Sequence, residues 1–127
     1  MRRLLILSVC LLLTGSAFAQ NKTDDASFIS GFEDLPLMAG LVQFEDAAVS
    51  FDTPGGRIIE AYAESPKADA KKIITFYTET LPQLGWKKTD ENKEKSFLVL
   101  TRDGETLKIS TEDNSPVTVR FELTTQQ

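Results

Sequence analysis

Histidine is absent from this chain of 127 residues, and cysteine occurs once, at position 10. The lack of histidine excludes Ser-His-Asp and Cys-His catalytic groups, histidine general bases and the histidine ligands of most zinc and copper sites. The lone Cys10 excludes an intramolecular disulfide. Carboxylate catalysis is left open by composition, but no pair of carboxylates stands out as flanking a substrate cleft. We therefore expect no enzymatic activity, no cofactor and no metal site.

Long apolar runs are also lacking. The longest, Leu4–Leu13, has ten residues, whereas a membrane span needs about 20. Arg2 and Arg3 precede this run and Ala17–Ala19 follows it, which is the pattern of a cleavable secretory signal. We predict a signal peptide over residues 1–19, cleavage after Ala19, and a periplasmic location in a Gram-negative bacterium, or secretion.

Basic residues are few outside the signal peptide. The chain has 14, and without Arg2 and Arg3 the remaining 12 stand against 19 acidic residues, a net charge of −7. This balance argues against nucleic acid as a partner, because such binding requires clustered Lys and Arg. It argues equally against docking on anionic lipid. The length suits a single domain.

The exported part begins with two segments of contrasting polarity. Residues 20–27 are polar and lack periodicity, which predicts a flexible leader. Residues 28–41, here called the strap, carry seven large apolar side chains interrupted by Gly31, Pro36 and Gly40. The breakers disfavour a helix, so we predict an extended segment. It is covered either by the domain itself or by a partner.

The rest of the chain predicts the order ββαββββ. Alternating apolar and polar residues, bounded by turn residues, predict six strands: Val42–Asp52, Arg57–Glu64, Trp86–Thr89, Ser96–Arg102, Glu105–Thr111 and Val117–Leu123. The alternation of the first strand changes phase at residues 46–48, which predicts a β-bulge or a short bend. A tail of residues 124–127 is expected to fray.

One amphipathic helix interrupts the strands. Ser65 is suited to the N-cap and Pro66 to the first helical position, and Ile73, Tyr77 and Leu81 follow at helical spacing. Proline and glycine end the helix within residues 80–84. Since hairpin-joined strands form antiparallel sheets, we predict a two-layer α+β domain over residues 28–123, with the helix packed on one face of the sheet.

Several short segments resemble small, signal-bearing hypothetical periplasmic proteins of Proteobacteria, alphaproteobacterial ones especially. The matching segments are Asp34–Leu41, Gly56–Ile58, Phe76–Tyr77, Leu81–Trp86 and Thr118–Phe121. The resemblance implies the compartment and the fold and carries over no functional residue. The order of elements is also similar to the helix-grip modules of some envelope assembly lipoproteins, at the level of fold.

Two binding functions follow from these features. The first is a non-catalytic accessory protein that contacts another envelope protein through the strap. The second is a carrier of a small apolar ligand or lipid, with a pocket between helix and sheet. The candidate partner-binding residues are Phe32, Leu35, Leu37 and Met38, and the candidate pocket residues are Tyr62, Tyr77 and Trp86.

Overall fold

A computed structural model describes residues 27–89 and 96–126, and within them one α-helix packs against a seven-stranded antiparallel sheet. This confirms the predicted α+β class. The predicted signal peptide, residues 20–26 of the predicted leader, residues 90–95 and residue 127 of the predicted tail lie outside the described residues. The elements are β1 Val42–Gln43, β2 Val49–Thr53, β3 Gly56–Ser65, α1 Ala70–Thr80, β4 Lys87–Lys88, β5 Phe97–Arg102, β6 Glu105–Glu112 and β7 Val117–Gln126.

The sheet runs in the order β1–β3–β7–β6–β5–β4, with β2 beside β1 along the same edge of β3. Long pairings of β3 with β7 and of β7 with β6 form its centre. The helix covers one face, where the Tyr77 ring meets the Phe121 ring edge-on at 5.3 Å. Buried alternate residues of the strands complete this core, among them Ala61, Leu107, Ile109, Val119 and Phe121.

Helix α1 begins four residues later than the predicted first helical position. Asp69 is its N-cap and accepts a hydrogen bond from the Lys72 N–H at 2.8 Å. Ser65 instead ends β3, and its Oγ accepts from the Ala68 N–H at 2.8 Å. A serine side chain can accept a hydrogen bond from the backbone N–H three residues later in a turn as readily as at a helix start. The sequence pattern that predicted an N-cap at Ser65 therefore corresponds to a turn.

A 3₁₀ helix at Glu45–Ala47 replaces the predicted β-bulge. From Gln43 to Val49 the chain takes six steps, while their partners on β3, Ala63 and Glu60, are three steps apart. Three additional residues exceed what a bulge accommodates. The excess therefore coils into a short helix, which leaves β1 and β2 as separate strands.

The last strand extends beyond its predicted end at Leu123. Strand β7 continues to Gln126, with Thr124 paired with Ile58 and Thr125 with Arg57. The prediction of a frayed tail is corrected for residues 124–126, because the long β3 supplies backbone partners that local sequence does not reveal.

Candidate functional site

Four large apolar side chains are exposed along one edge of the sheet, on the face without the helix. Phe51 lies opposite Ile58, which alternates with core residues of β3, and Val49 lies two residues before Phe51 on the same face. Val42 and Phe44 continue the row beside the end of β3. Their exposed fractions lie between 38% and 54%. We call Val42, Phe44, Val49 and Phe51 the edge row.

The backbone of β2 is available beside the edge row. Within residues 27–89 and 96–126, β2 pairs with β3 alone, so its other side presents backbone donors and acceptors at the edge of the sheet. Three exposed carboxylates, those of Glu45, Asp46 and Asp52, surround this edge. The Arg57 Nε donates to Asp52 at 3.1 Å, and both side chains of this pair are more than half exposed. The edge is therefore apolar with an acidic margin.

A charged ladder occupies the middle of the same face. Arg120 donates to Glu60 at 2.5 Å and to Glu122 at 2.6 Å. Lys108 lies 3.7 Å from Glu122, and the Tyr62 hydroxyl donates to Glu60 at 3.2 Å. These side chains pair with one another across β3, β7 and β6. The ladder therefore bounds the edge row with polar groups that already have partners.

The strap lies on the opposite face, against the core. Phe32 and Leu35 are 9% and 2% exposed, and Leu37 and Met38 are partly buried against the same cluster. The predicted partner surface is corrected for Phe32 and Leu35, because buried side chains are not available to another protein. For Leu37 and Met38, which are only partly buried, it stays a prediction. The apolar side chains of the strap pack against the same core as helix α1 and enlarge it.

Two side chains fasten the strap to the domain. The Tyr77 hydroxyl donates to the Pro36 carbonyl at 2.9 Å and accepts from the Met38 N–H at 3.3 Å. Burial raises the pKa of Tyr77, which therefore stays a protonated phenol. Arg102 donates to both oxygens of Asp34, at 2.6 and 3.1 Å, and these hydrogen bonds hold the pKa of that carboxyl below its ordinary value.

The guanidinium of Arg102 has further contacts, which engage both of its terminal nitrogens. It lies 4.2 Å from the centroid of the Trp86 ring, a cation–π distance. It also donates to the Leu84 carbonyl at 3.1 Å and to Glu105 at 3.4 Å. Arg102 thus joins the strap, the residues after the helix and the β5–β6 hairpin.

The three predicted pocket residues do not form one pocket. Tyr77 is fully buried between helix and sheet, where it contacts Phe121 and Phe76 edge-on. Tyr62 lies on the other face of the sheet, in the charged ladder. Because aromatic rings fill the space that the sequence assigned to a ligand, that location of the pocket is corrected. Trp86 borders a cavity.

We call this cavity the strap cleft. It lies between the strap and the part of the sheet nearest the β5–β6 turn, and its volume is about 250 Å³. Apolar side chains of the strands and strap line it, together with charged ones at its margin. The lining includes Arg57, Ile59, Trp86, Arg102, Leu107 and Leu123, and the carboxylates of Glu33, Asp34 and Glu105.

Searches for other features of the described segments were negative. No group of three or more Asp or Glu side chains there is arranged to hold a metal ion. No helix in this part of the chain has both the length and the apolar character needed to cross a membrane.

The edge row and the arginine contacts were missed at the level of sequence. The alternation of Val42 and Phe44, and of Val49 and Phe51, indicated strand structure but not which face would be covered. Pairing of the outward residues of β3 with those of β7 would have found the charged ladder. No local signal connects Asp34 with Arg102, which are 68 residues apart.

Comparisons of the chain with protein-family models, curated proteins and solved structures find no match.

Proposed function

We propose that the protein is a non-catalytic binding module of the bacterial periplasm that contacts another envelope protein. The observation that supports this function is the edge row, four large apolar side chains grouped on one exposed strand edge. Grouped apolar exposure of this kind is typical of interaction surfaces. The compartment is that of the predicted signal peptide, and the contact lies at the edge of the sheet rather than on the strap.

The geometry of β2 supports a specific mode of binding. An extended segment of the partner adds to the sheet as a further strand beside β2 and bonds to its free backbone groups. Alternate side chains of that segment then cover Val49 and Phe51. Strand addition gives affinity through the backbone and specificity through the apolar contacts.

Charge defines the chemistry of the partner. The carboxylates of Glu45, Asp46 and Asp52 lie around the exposed edge of β2, and the chain as a whole is acidic. A partner segment in which apolar residues alternate with Lys or Arg satisfies both the apolar row and its margin. The same acidity disfavours a second copy of this chain as the occupant, since like charges would meet at the edge.

Photo-crosslinking in cells tests this function. A photoreactive residue placed at Phe51 is expected to give one recurrent adduct with an envelope protein, attached within an extended apolar and basic segment. The matched control is Leu84, which has a similar exposed fraction (40% against 43%) but lies away from the edge row. Equal adducts from both positions, or adducts only between copies of this chain, would contradict the proposal.

A variant measures whether the contact depends on the apolar row. Phe51→Asp is expected to abolish the adduct formed from a photoreactive residue at Val49, because the new charge would have to be buried on binding. Leu84→Asp provides the same chemical change elsewhere and should leave that adduct intact. Circular dichroism of both variants shows whether the fold is retained. An unchanged adduct in folded Phe51→Asp would exclude the edge row as the contact.

A further inference from the structure

The backbone groups of β3 alternate in direction along the strand. The Phe44 N–H donates to the Tyr62 carbonyl at 2.8 Å, which places that carbonyl on the side of β3 that faces β1 and β2. Because directions alternate from one residue to the next in an antiparallel ladder, Ile58 directs its N–H and C=O groups to the same side. Ile58 is the partner of Phe51 on β2. The backbone groups of Phe51 are therefore bonded to β3.

The residues on either side of Phe51 have the opposite direction. The N–H and C=O groups of Ser50 and Asp52 point away from β3, to a side on which β2 has no neighbour within residues 27–89 and 96–126. The next outward position is Pro54, which has no N–H and lies in the turn to β3. Strand β2, Val49–Thr53, therefore offers the backbone groups of two residues, which suits a short added segment.

Side chains at this edge alternate with the free backbone groups. Val49 and Phe51 belong to the edge row, on the face without the helix, whereas Ser50 and Asp52 lie on the face that carries the helix. An antiparallel segment beside β2 would form a non-hydrogen-bonded pair at Phe51, where opposed side chains approach most closely. Its residue opposite Asp52 would form a hydrogen-bonded pair and direct its side chain to the other face.

The Asp52 carboxylate is engaged through one oxygen only. Oδ1 accepts from the Arg57 Nε at 3.1 Å, whereas Oδ2 makes no hydrogen bond within the described residues. The Asp52 side chain is 70% exposed, and its residue lies between Arg57 on β3 and the position of an added strand. A cation opposite Asp52 would share the carboxylate with Arg57, whereas an acidic residue there would meet a like charge.

We propose that Asp52 selects the partner of the edge row through a lysine or arginine directly opposite it. The partner segment carries apolar residues opposite Val49 and Phe51 and its cation on the other face, where the cation competes with Arg57 for the Asp52 carboxylate. This selection rests on the proposed function, strand addition beside β2, and adds to it a register and a specificity-determining residue.

Capped pentapeptides test the preference for charge. The full chain, purified after export and isotope-labelled, is titrated with Val-Lys-Val-Thr-Val and with the same peptide carrying Gln or Glu in place of Lys. The amide signals of Ser50 and Asp52 report binding. The Lys peptide is expected to bind about twofold to fivefold more tightly than the Gln peptide, the value of an exposed ion pair, and the Glu peptide most weakly. Equal binding of the Lys and Glu peptides would overturn the selection, and tighter binding of the Glu peptide would assign it to Arg57 instead.

Two isomeric Lys peptides test the register. An N-methyl group on the central valine, opposite Phe51, replaces an N–H that points away from β2 and should leave the affinity unchanged. An N-methyl group on the lysine removes the donor to the Asp52 carbonyl and should lower the affinity about fivefold or more. Equal effects would overturn the register. A peptide of residues 49–53 of this chain represents a second copy, and tighter binding of that peptide than of the Lys peptide would overturn the choice of partner.

The two members of the ion pair should have opposite effects on binding. Asp52→Asn is expected to abolish the preference for Lys over Gln, whereas Arg57→Gln frees the carboxylate and should raise the affinity for the Lys peptide about twofold. Lys71→Gln, on the exposed side of α1, is the matched control for the loss of a positive charge and should leave the affinity unchanged. Weaker binding in both pair variants would show that the pair supports β2 rather than selecting its partner.

The in-cell adduct separates this selection from the proposed function. If a photoreactive residue at Phe51 still gives its adduct while the Lys and Glu peptides bind equally, the partner contact stands and the role of Asp52 is refuted. Absence of the adduct, together with no saturable response to any peptide, would contradict both.

Discussion

The hydroxyl group of Tyr77 on helix α1 donates a 2.9 Å hydrogen bond to the carbonyl oxygen of Pro36, 41 residues earlier in the strap. The same oxygen accepts from the N–H of Met38 at 3.3 Å. One buried phenol therefore satisfies two backbone groups of the strap. The strap is not extended as predicted but folds back on itself, with Phe28 bridged to Pro36. The Tyr77 contact holds the strap beside the helix. Together with the ion pair between Asp34 and Arg102, it attaches the strap, which forms one side of the strap cleft, to the rest of the domain.

Replacing Tyr77 with Phe is expected to destabilise the protein by about 1–3 kcal/mol. The ring and its packing on Phe121 are kept, whereas the Pro36 carbonyl and the Met38 N–H lose their partner away from water. Urea denaturation measures the change in the free energy of unfolding. Tyr62→Phe is the matched control, since the Tyr62 hydroxyl donates to Glu60 within the partly exposed charged ladder, and its effect should be smaller. Similar losses in the two variants would show that the strap bonds contribute little.

The ion pair between Asp34 and Arg102 predicts a pH-dependent stability. Arg102 lowers the folded-state pKa of Asp34 below 3.8, so the pair stabilises the fold above that ordinary value. This contribution is lost as the pH falls through the lower folded-state pKa. Asp34→Asn should therefore be less stable than the parent chain at pH 7, with a difference that vanishes in more strongly acidic solution.

Chemical denaturation at a series of pH values checks this dependence. The side chain of Asp34 is 48% exposed, so solvent screening keeps the expected difference at pH 7 within about 1 kcal/mol. Asp113→Asn, in the exposed turn between β6 and β7, controls for the removal of a negative charge. A difference between Asp34→Asn and the parent chain that persists undiminished in acid would show that the amide disturbs something other than the ion pair.

Periodic segments of the sequence predicted the elements and their faces. The spacing of Ile73, Tyr77 and Leu81 placed these residues inward, and all three are fully buried. The pair Asp103–Gly104 is typical of a two-residue hairpin with positive φ, and the structure has φ of 46° and 80° there. Local patterns were sufficient because each of these features depends on neighbouring residues alone.

The candidate site depends on contacts that local patterns do not encode. Edge-strand exposure follows from which strand lies outermost, and the sheet order is a property of the whole chain. The strap was ambiguous for the same reason, since its apolar side chains fit a partner and a core equally well. Only the pairing of Asp34 with Arg102 and of Pro36 with Tyr77 distinguishes the two.

The β2–β3 hairpin that carries the edge row requires glycine at position 56. Gly56 has φ of 133°, and a Cβ atom added there would lie 1.7 Å from the carbonyl oxygen of Thr125 on β7. Gly56→Ala must displace backbone, so we expect a loss of about 3 kcal/mol or more in the free energy of unfolding. Gly55→Ala is the matched control, since its Cβ would make an ordinary contact with Thr53 at 3.8 Å. Thermal unfolding of both variants decides the point, and equal melting temperatures would show that β3 and β7 can separate at this position without cost.

The charged ladder predicts a coupling between Arg120 and Glu60. Arg120 lies between Glu60 and Glu122, which are direct cross-strand partners. Arg120→Met leaves the two carboxylates facing each other, and like charges in that position are destabilising. We expect a loss of about 1 kcal/mol at pH 7, since the Arg120 side chain is 40% exposed and partly screened.

A double-mutant cycle isolates this repulsion from the loss of packing. Glu60→Gln in the Arg120→Met background removes one of the two opposed charges and should restore part of the stability, although the same change in the parent chain breaks an ion pair and should lower it. This reversal of sign is the signature of direct electrostatic coupling, which for contacting pairs amounts to about 0.5–3 kcal/mol. Urea denaturation of the four proteins gives the coupling energy. If the two changes were additive, Arg120 would act through its aliphatic packing, and the ladder would not be what separates the edge row from the rest of the sheet.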